Sequence, residues 1–124
     1  MTDRIRTYRE FWPHYVGEHR VPMCRALHYV GTFAGVSLAG FGVATAAPLW
    51  IVLGLVCGYG PAWVGHFFVE GNRPATFRYP LWSFVSDFRM LGLAVTGRMG
   101  REVTRLYGST SPASDAPLRI DVGS

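Results

Sequence analysis

Residues 28–69 read HYVGTFAGVSLAGFGVATAAPLWIVLGLVCGYGPAWVGHFFV, and no Asp, Glu, Lys or Arg occurs among them. All 12 basic and 8 acidic side chains of the 124-residue chain lie on either side of this block, at the density of an ordinary soluble protein. One membrane-spanning helix needs about 20 predominantly apolar residues, and the block is about twice that length. Pro48 stands near its middle. Proline fits the first turn of a helix and disrupts the interior, so the block divides into two helices, at about 23–46 and 48–70. The connection Ala46–Ala47–Pro48 is so short that the two must be antiparallel neighbours. The expected fold is therefore all-α, an integral-membrane helical hairpin rather than a water-soluble single domain.

The flanks orient the hairpin. Five Arg lie in residues 1–25 and six in 73–105, whereas the turn around Pro48 has no charge. The positive-inside tendency then places both termini on the cytoplasmic side. Upstream, residues 4–16 (RIRTYREFWPHYV) carry apolar side chains at 5, 8, 11, 12 and 15. That spacing predicts a short amphipathic helix at the interface, limited by Pro13. Glu10, Trp12, Pro13 and His14 follow the early Arg residues where a cleavable signal peptide would have an apolar run, so none is expected. A polar link, Gly17–Val21, leads to Pro22. Downstream, Gly71–Asn72–Arg73–Pro74 precedes a further apolar helix at about 80–96 (PLWSFVSDFRMLGLAVT) with Asp87 and Arg89 in its middle. It fits a re-entrant or interfacial helix, or a third span whose Asp87 faces the bundle; burial against the hairpin is the expectation. Residues 1–107 form one membrane-embedded helical domain, and 108–124 read as a disordered tail.

Composition excludes several functions. The pI is about 9.5 and every basic residue is Arg, but there is no basic run of five and no aromatic-basic alternation, so no nucleic-acid partner is expected. Cys24 and Cys57 make neither a disulfide framework nor a CxxC metal motif. Ser37 and Ser83 lack a GxSxG context, and the glycine-rich segments lack the Lys and strand setting of a phosphate loop.

The histidines are more informative. His28 lies 20 residues before Pro48 and His66 lies 18 after it, about 30 and 27 Å from the turn at 1.5 Å per residue. The two imidazoles thus stand level at the cytoplasmic end. Gly54, Gly58, Ala62, His66 and Glu70 recur every fourth residue, and His28, Gly31, Gly35, Ala39 and Gly42 form a matching stripe. Small residues so spaced mark close helix contact in membranes. Glu70 lies one turn beyond His66 on the same face. His19 sits in the short link before Pro22 and can fold over the hairpin mouth. His14 is read as interfacial and left outside the cluster. The group His19, His28, His66 and Glu70 fits a metal site, since imidazole with carboxylate suits Zn, Fe or Mn. It also fits buried histidines that only hydrogen-bond one another or the backbone. Spacing alone does not choose between them.

Two segments, FWPHYVGEHRVPMCRALHYVGT (11–32) and WVGHFFVEGNRPATFRYPLWSFVSDFRM (63–90), resemble a small integral-membrane family in its short bacterial branch. Its characterised fungal member is an Fe(II)-dependent 2-hydroxy fatty acid dioxygenase of phytosphingosine breakdown. The resemblance covers roughly residues 8–92. Its paired signatures are EH with a second His nine residues on, then GHxxxE before an RPA segment. It implies α-oxidation of a 2-hydroxy fatty acid by O2 to the acid one carbon shorter, in a bacterial cytoplasmic membrane. It implies Fe(II) as cofactor, held by the catalytic residues His19, His28, His66 and Glu70. Cys24 stands where the eukaryotic branch has Asn, and this chain is shorter, differences that bear on substrate. With that chemistry, Arg73 is the expected partner of the substrate carboxylate, with Arg78 a headgroup anchor. Asp87 is expected near the substrate or orienting a liganding His, with a pair to Arg89 as its rival role. The alternatives are a non-catalytic lipid-binding or assembly subunit, and a metal-dependent lipid enzyme of another kind.

Overall fold

In the computed structural model, which describes residues 4–119, prolines start three of the helices. These are α2 (Pro22–Ala44), α3 (Pro48–Val64) and α4 (Pro80–Val95), each with proline in its first turn, where the missing N–H would have had no helical partner. The earlier helix α1 (Tyr8–Gly17) is capped instead by Thr7, whose hydroxyl accepts the Glu10 N–H at 3.2 Å. A π-helical turn, Gly65–Glu70, continues α3 directly, so the second long helix reaches Glu70. A 3-10 turn at Ala75–Phe77 and a last helix, α5 (Met99–Tyr107), complete an all-helical chain with no strand among the described residues. The hairpin and the helix after residue 80 stand close to their expected bounds. The helix α5 was not expected.

The hairpin turn is a Schellman closure. Ala46 adopts φ 53°, and the N–H groups of Ala46 and Ala47 bond the carbonyls of Val43 (3.3 Å) and Gly42 (2.8 Å). Along the hairpin the backbones touch. A Cβ at Gly35 would stand 2.7 Å from the Gly54 carbonyl oxygen, and one at Gly31 would stand 2.8 Å from that of Gly58. The small-residue stripes therefore face each other, as their spacing required. Outward, the same helices expose apolar side chains such as Val30 (65%) and Phe33 (70%). Both are long and apolar enough to cross a membrane, and this outward apolar surface is the reverse of a soluble core helix. At 16 residues, α4 is shorter than the about 20 a crossing helix needs.

The buried core lies elsewhere. Phe11, Trp12, Tyr15 and Val16 of α1 pack with Tyr79, Met90, Met99, Val103 and Leu106 into a cap formed by α1, α4 and α5. The α5 side chains Met99, Val103 and Leu106 share one face by their spacing, and Trp12 Nε1 donates to Glu102 Oε2 at 2.6 Å from that helix. Residues 108–119 form no helix but are tied to α2, to the link before it and to α5. Arg25 donates to the carbonyl of Thr110 (2.7 Å), Arg20 to those of Ala113 (2.6 Å) and Ala116 (2.9 Å), and the Arg119 N–H to that of Leu106 (2.8 Å). Residues 120–124 of the expected tail lie outside the described residues.

Candidate metal centre

Three local features bring three imidazoles to one point. His28 is carried by α2. His19 lies in the link between α1 and α2, where its N–H bonds the Val16 carbonyl at 2.9 Å. The buried Arg25 guanidinium clamps that link by donating to the carbonyls of His19 (2.7 Å) and Arg20 (2.9 Å). His66 sits in the π-helical turn, a rare geometry that recurs at functional sites. Gly71 then turns the chain back at φ 75°, which glycine adopts at no steric cost, and the Asn72 N–H bonds the His66 carbonyl at 2.9 Å. All three histidines are buried, at 1%, 4% and 2% exposure for His19, His28 and His66.

Each ring is oriented through Nδ1. His19 Nδ1 lies 2.5 Å from the Tyr15 carbonyl oxygen, His28 Nδ1 2.8 Å from that of Cys24, and His66 Nδ1 2.7 Å from Asn72 Oδ1. Carbonyl oxygens only accept, so Nδ1 must carry the proton in each ring. The three Nε2 atoms are then bare lone pairs, and they converge. His19 Nε2 and His28 Nε2 are 3.0 Å apart, the ligand atoms of all three histidines lie within 4.8 Å of one another, and the rings meet at 77–86°. Neither nitrogen of the close pair has a proton to share, so the contact is repulsive unless a cation stands between them. Two imidazole nitrogens about 2.1 Å from one ion in adjacent positions are about 3 Å apart, so the donor set fits a metal. Burial and the neighbouring His28 and His66 hold the His19 imidazole well below its ordinary pKa, which keeps it in the neutral form that binds metal.

The other expected residues stand outside this group of three. Glu70 is not among these converging ligand atoms; its Oε2 accepts the Val21 N–H at 2.7 Å, tying the end of the second long helix to the link that bears His19. Asp87 lines the histidine cavity and accepts the hydroxyl proton of Tyr15, whose ring centroid lies 4.1 Å from that of His19. Its carboxyl is lifted to about 6 by burial, against the lowering effect of the Tyr15 hydrogen bond. Arg89 lies over the rings of Trp12 (4.1 Å) and Tyr8 (5.8 Å). Arg73 and Arg78 line a separate surface cavity with His14 and Glu18. His14 lies 3.6 Å from Glu18 and 40% exposed, outside the cluster.

Sequence reading missed Asn72, Glu18, Arg25 and Tyr15. Asn72 Nδ2 donates to Glu18 Oε2 at 2.6 Å and to the Glu18 carbonyl at 3.1 Å, which fixes the amide so that its oxygen faces His66. No spacing rule marks such a residue, because its role depends on a turn that only Gly71 permits.

Residues 5–99 match the model of the family described as 2-hydroxy-palmitic acid dioxygenase Mpo1-like. Neither the curated proteins nor the solved structures give a significant match. An all-helical chain matched over most of its length, with three buried histidines converging at the end of an apolar hairpin, belongs to the Mpo1-like family.

Proposed function

We propose that this protein is an iron(II)-dependent dioxygenase of the cytoplasmic membrane that oxidises 2-hydroxy fatty acids to the acid one carbon shorter. The observation that carries the proposal is the set of three buried imidazoles whose Nδ1 protons are all committed to oxygen acceptors, leaving three Nε2 lone pairs aimed at one point. Family membership supplies the reaction class.

In this reading His19, His28 and His66 hold the metal. Iron(II) bound there supplies the activation of O2, for which few protein ligands and open positions are suited. The overall balance is RCH(OH)COOH + O2 → RCOOH + CO2 + H2O: the C1–C2 bond breaks, and four electrons pass from the substrate to O2. The buried cap of α1, α4 and α5 excludes bulk water from the site. Asp87, held by the Tyr15 hydroxyl, is the group in the cavity suited to take the proton of the 2-hydroxyl, since a carboxyl near 6 accepts and returns protons at neutral pH. Glu70 fixes the His19 link through the Val21 amide. Arg73, exposed at the boundary, meets the substrate carboxylate before entry.

The test is product analysis after incubating the purified protein with Fe(II), O2 and 2-hydroxypalmitate. The expected product is the C15 acid, abolished by His66→Ala. Folded, metal-loaded protein that forms none refutes the proposal. Metal binding without O2 uptake would point to another metal-dependent lipid enzyme, and absence of stoichiometric metal to a non-catalytic membrane protein.

A further inference from the structure

The histidine cavity shares two of its walls with a neighbouring one. Tyr59 and Asp87 line it and also line a second, apolar cavity between the hairpin and α4. The second cavity is walled by Thr32, Gly35 and Ala39 of α2, Gly58 of α3, and Phe84 and Phe88 of α4. Two of these walls are partly exposed, Phe84 at 48% and Phe88 at 40%. At the head of this path, Ser83 is 2% exposed, faces the histidine cavity, and its Oγ has no hydrogen-bond partner among the described residues. A buried hydroxyl left unpaired is costly, and a bound polar group satisfies it.

We propose that the two cavities form one lipid-binding path, in which Ser83 Oγ donates to the polar head of a 2-hydroxy fatty acid and the apolar groove takes its acyl chain and measures its length. The inference rests on the function proposed above and adds where the substrate lies. Three features select an acyl chain over any other occupant. The groove shares Tyr59 and Asp87 with the histidine cavity, its walls are almost entirely apolar, and it runs along the hairpin toward the turn. At about 1.5 Å per residue, Ala39 lies about 17 Å beyond His28 and Gly54 about 18 Å beyond His66. Carbon–carbon bonds of about 1.5 Å at angles near 111° advance an extended chain about 1.25 Å per carbon, so the distance from the histidines to the groove's far end matches about 13 or 14 carbons, about eight of them between Thr32 and Ala39 in the groove itself.

Gly58 is the position at which to narrow it. A Cβ there meets only the Gly31 carbonyl oxygen, at an ordinary 3.7 Å, whereas a Cβ at Gly31 or Gly35 would stand under 3.0 Å from a carbonyl oxygen. Binding of 2-hydroxy fatty acids from C8 to C18 is measured by equilibrium dialysis in nanodiscs for the wild type, Gly58→Leu, Phe88→Ala and Ser83→Ala, each checked for native helicity and thermal stability. Gly58→Leu should weaken C16 binding about tenfold, the worth of about two buried methylenes, and leave C8 within twofold. Phe88→Ala should move the optimum to longer chains. Ser83→Ala should weaken every chain length by a similar factor, because it acts on the head. A 2-hydroxypalmitate bearing a photoreactive diazirine at its far end should label the groove residues, with labelling competed by unlabelled ligand.

Unchanged chain-length profiles in both folded groove variants, or labelling spread evenly over the outer hairpin face, would overturn the inference. These readouts do not need turnover. If no shortened acid forms but the profiles shift, the lipid path stands and the dioxygenase reading falls. If the acid forms and the profiles do not shift, the reverse holds.

Discussion

Replacing Asn72 by Leu should cost 10- to 100-fold in metal affinity although Asn72 touches no metal. The His66 Nδ1–H donates to Asn72 Oδ1 at 2.7 Å, and this bond alone leaves Nε2 deprotonated and turned toward His19 and His28. The Asn72 amide is itself held by two bonds from Nδ2 to Glu18, at 2.6 and 3.1 Å, so it cannot flip to present a donor. Leucine keeps the volume but removes the acceptor. The imidazole is then free to move its proton to Nε2, and a buried donor loses its partner at a cost of about 1–3 kcal/mol. At about 1.4 kcal/mol per decade, that is about one to two decades in affinity, in line with other outer partners of metal-bound histidines. The assay is anaerobic Fe(II) titration of detergent-solubilised protein against a chelator of known affinity, with helicity and melting temperature recorded alongside. Glu18→Gln, whose amide oxygen still accepts from Asn72, should lose much less. A folded Asn72→Leu protein that binds within twofold of wild type would refute the argument that this bond sets the ligand tautomer.

Gly35→Val should destabilise the hairpin by about 3 kcal/mol, because its Cβ would stand 2.7 Å from the Gly54 carbonyl and the helices must part; thermal unfolding in detergent measures it. Stability and metal binding should both fall as pH drops below about 6.5. His19 is held neutral in the folded protein, so the unfolded chain binds the extra proton first, and stability present above the unfolded pKa is lost as pH falls toward the folded one; pH-dependent melting of the metal-free protein tests the sign. Glu70→Gln keeps an acceptor for the Val21 N–H and should lower metal affinity far less than His66→Ala; an equal loss would make Glu70 a ligand. A reporter fused after Ser124 should be active on the cytoplasmic side, and a periplasmic signal would invert the topology.

How far the chain could be read ahead of its structure depends on the range of each interaction. The missing charges between 28 and 69 and the proline at 48 are local facts with a local consequence, two helices and a tight turn. Rise per residue is nearly constant in a helix, so the levels of His28 and His66 follow from counting. The paired small residues announced the contact later found at Gly35 and Gly54. Short, mixed segments were less legible. Met99, Val103 and Leu106 have helical spacing, but nine residues with two Arg and a Glu give too little apolar repeat to stand out.

Sequence by itself determined the architecture and the candidates: an apolar hairpin, a level pair of histidines, a third in the adjoining link, and carboxylates nearby. Only the tertiary structure decided what each candidate touches. It set Glu70 on a backbone amide and Asp87 on Tyr15, and it recruited Asn72 to hold His66. The division has one physical cause. Helix period and membrane length are properties of a segment, whereas a ligand's tautomer and a buried hydroxyl's missing partner depend on which oxygen atoms packing brings within about 3 Å, from residues far away in the chain.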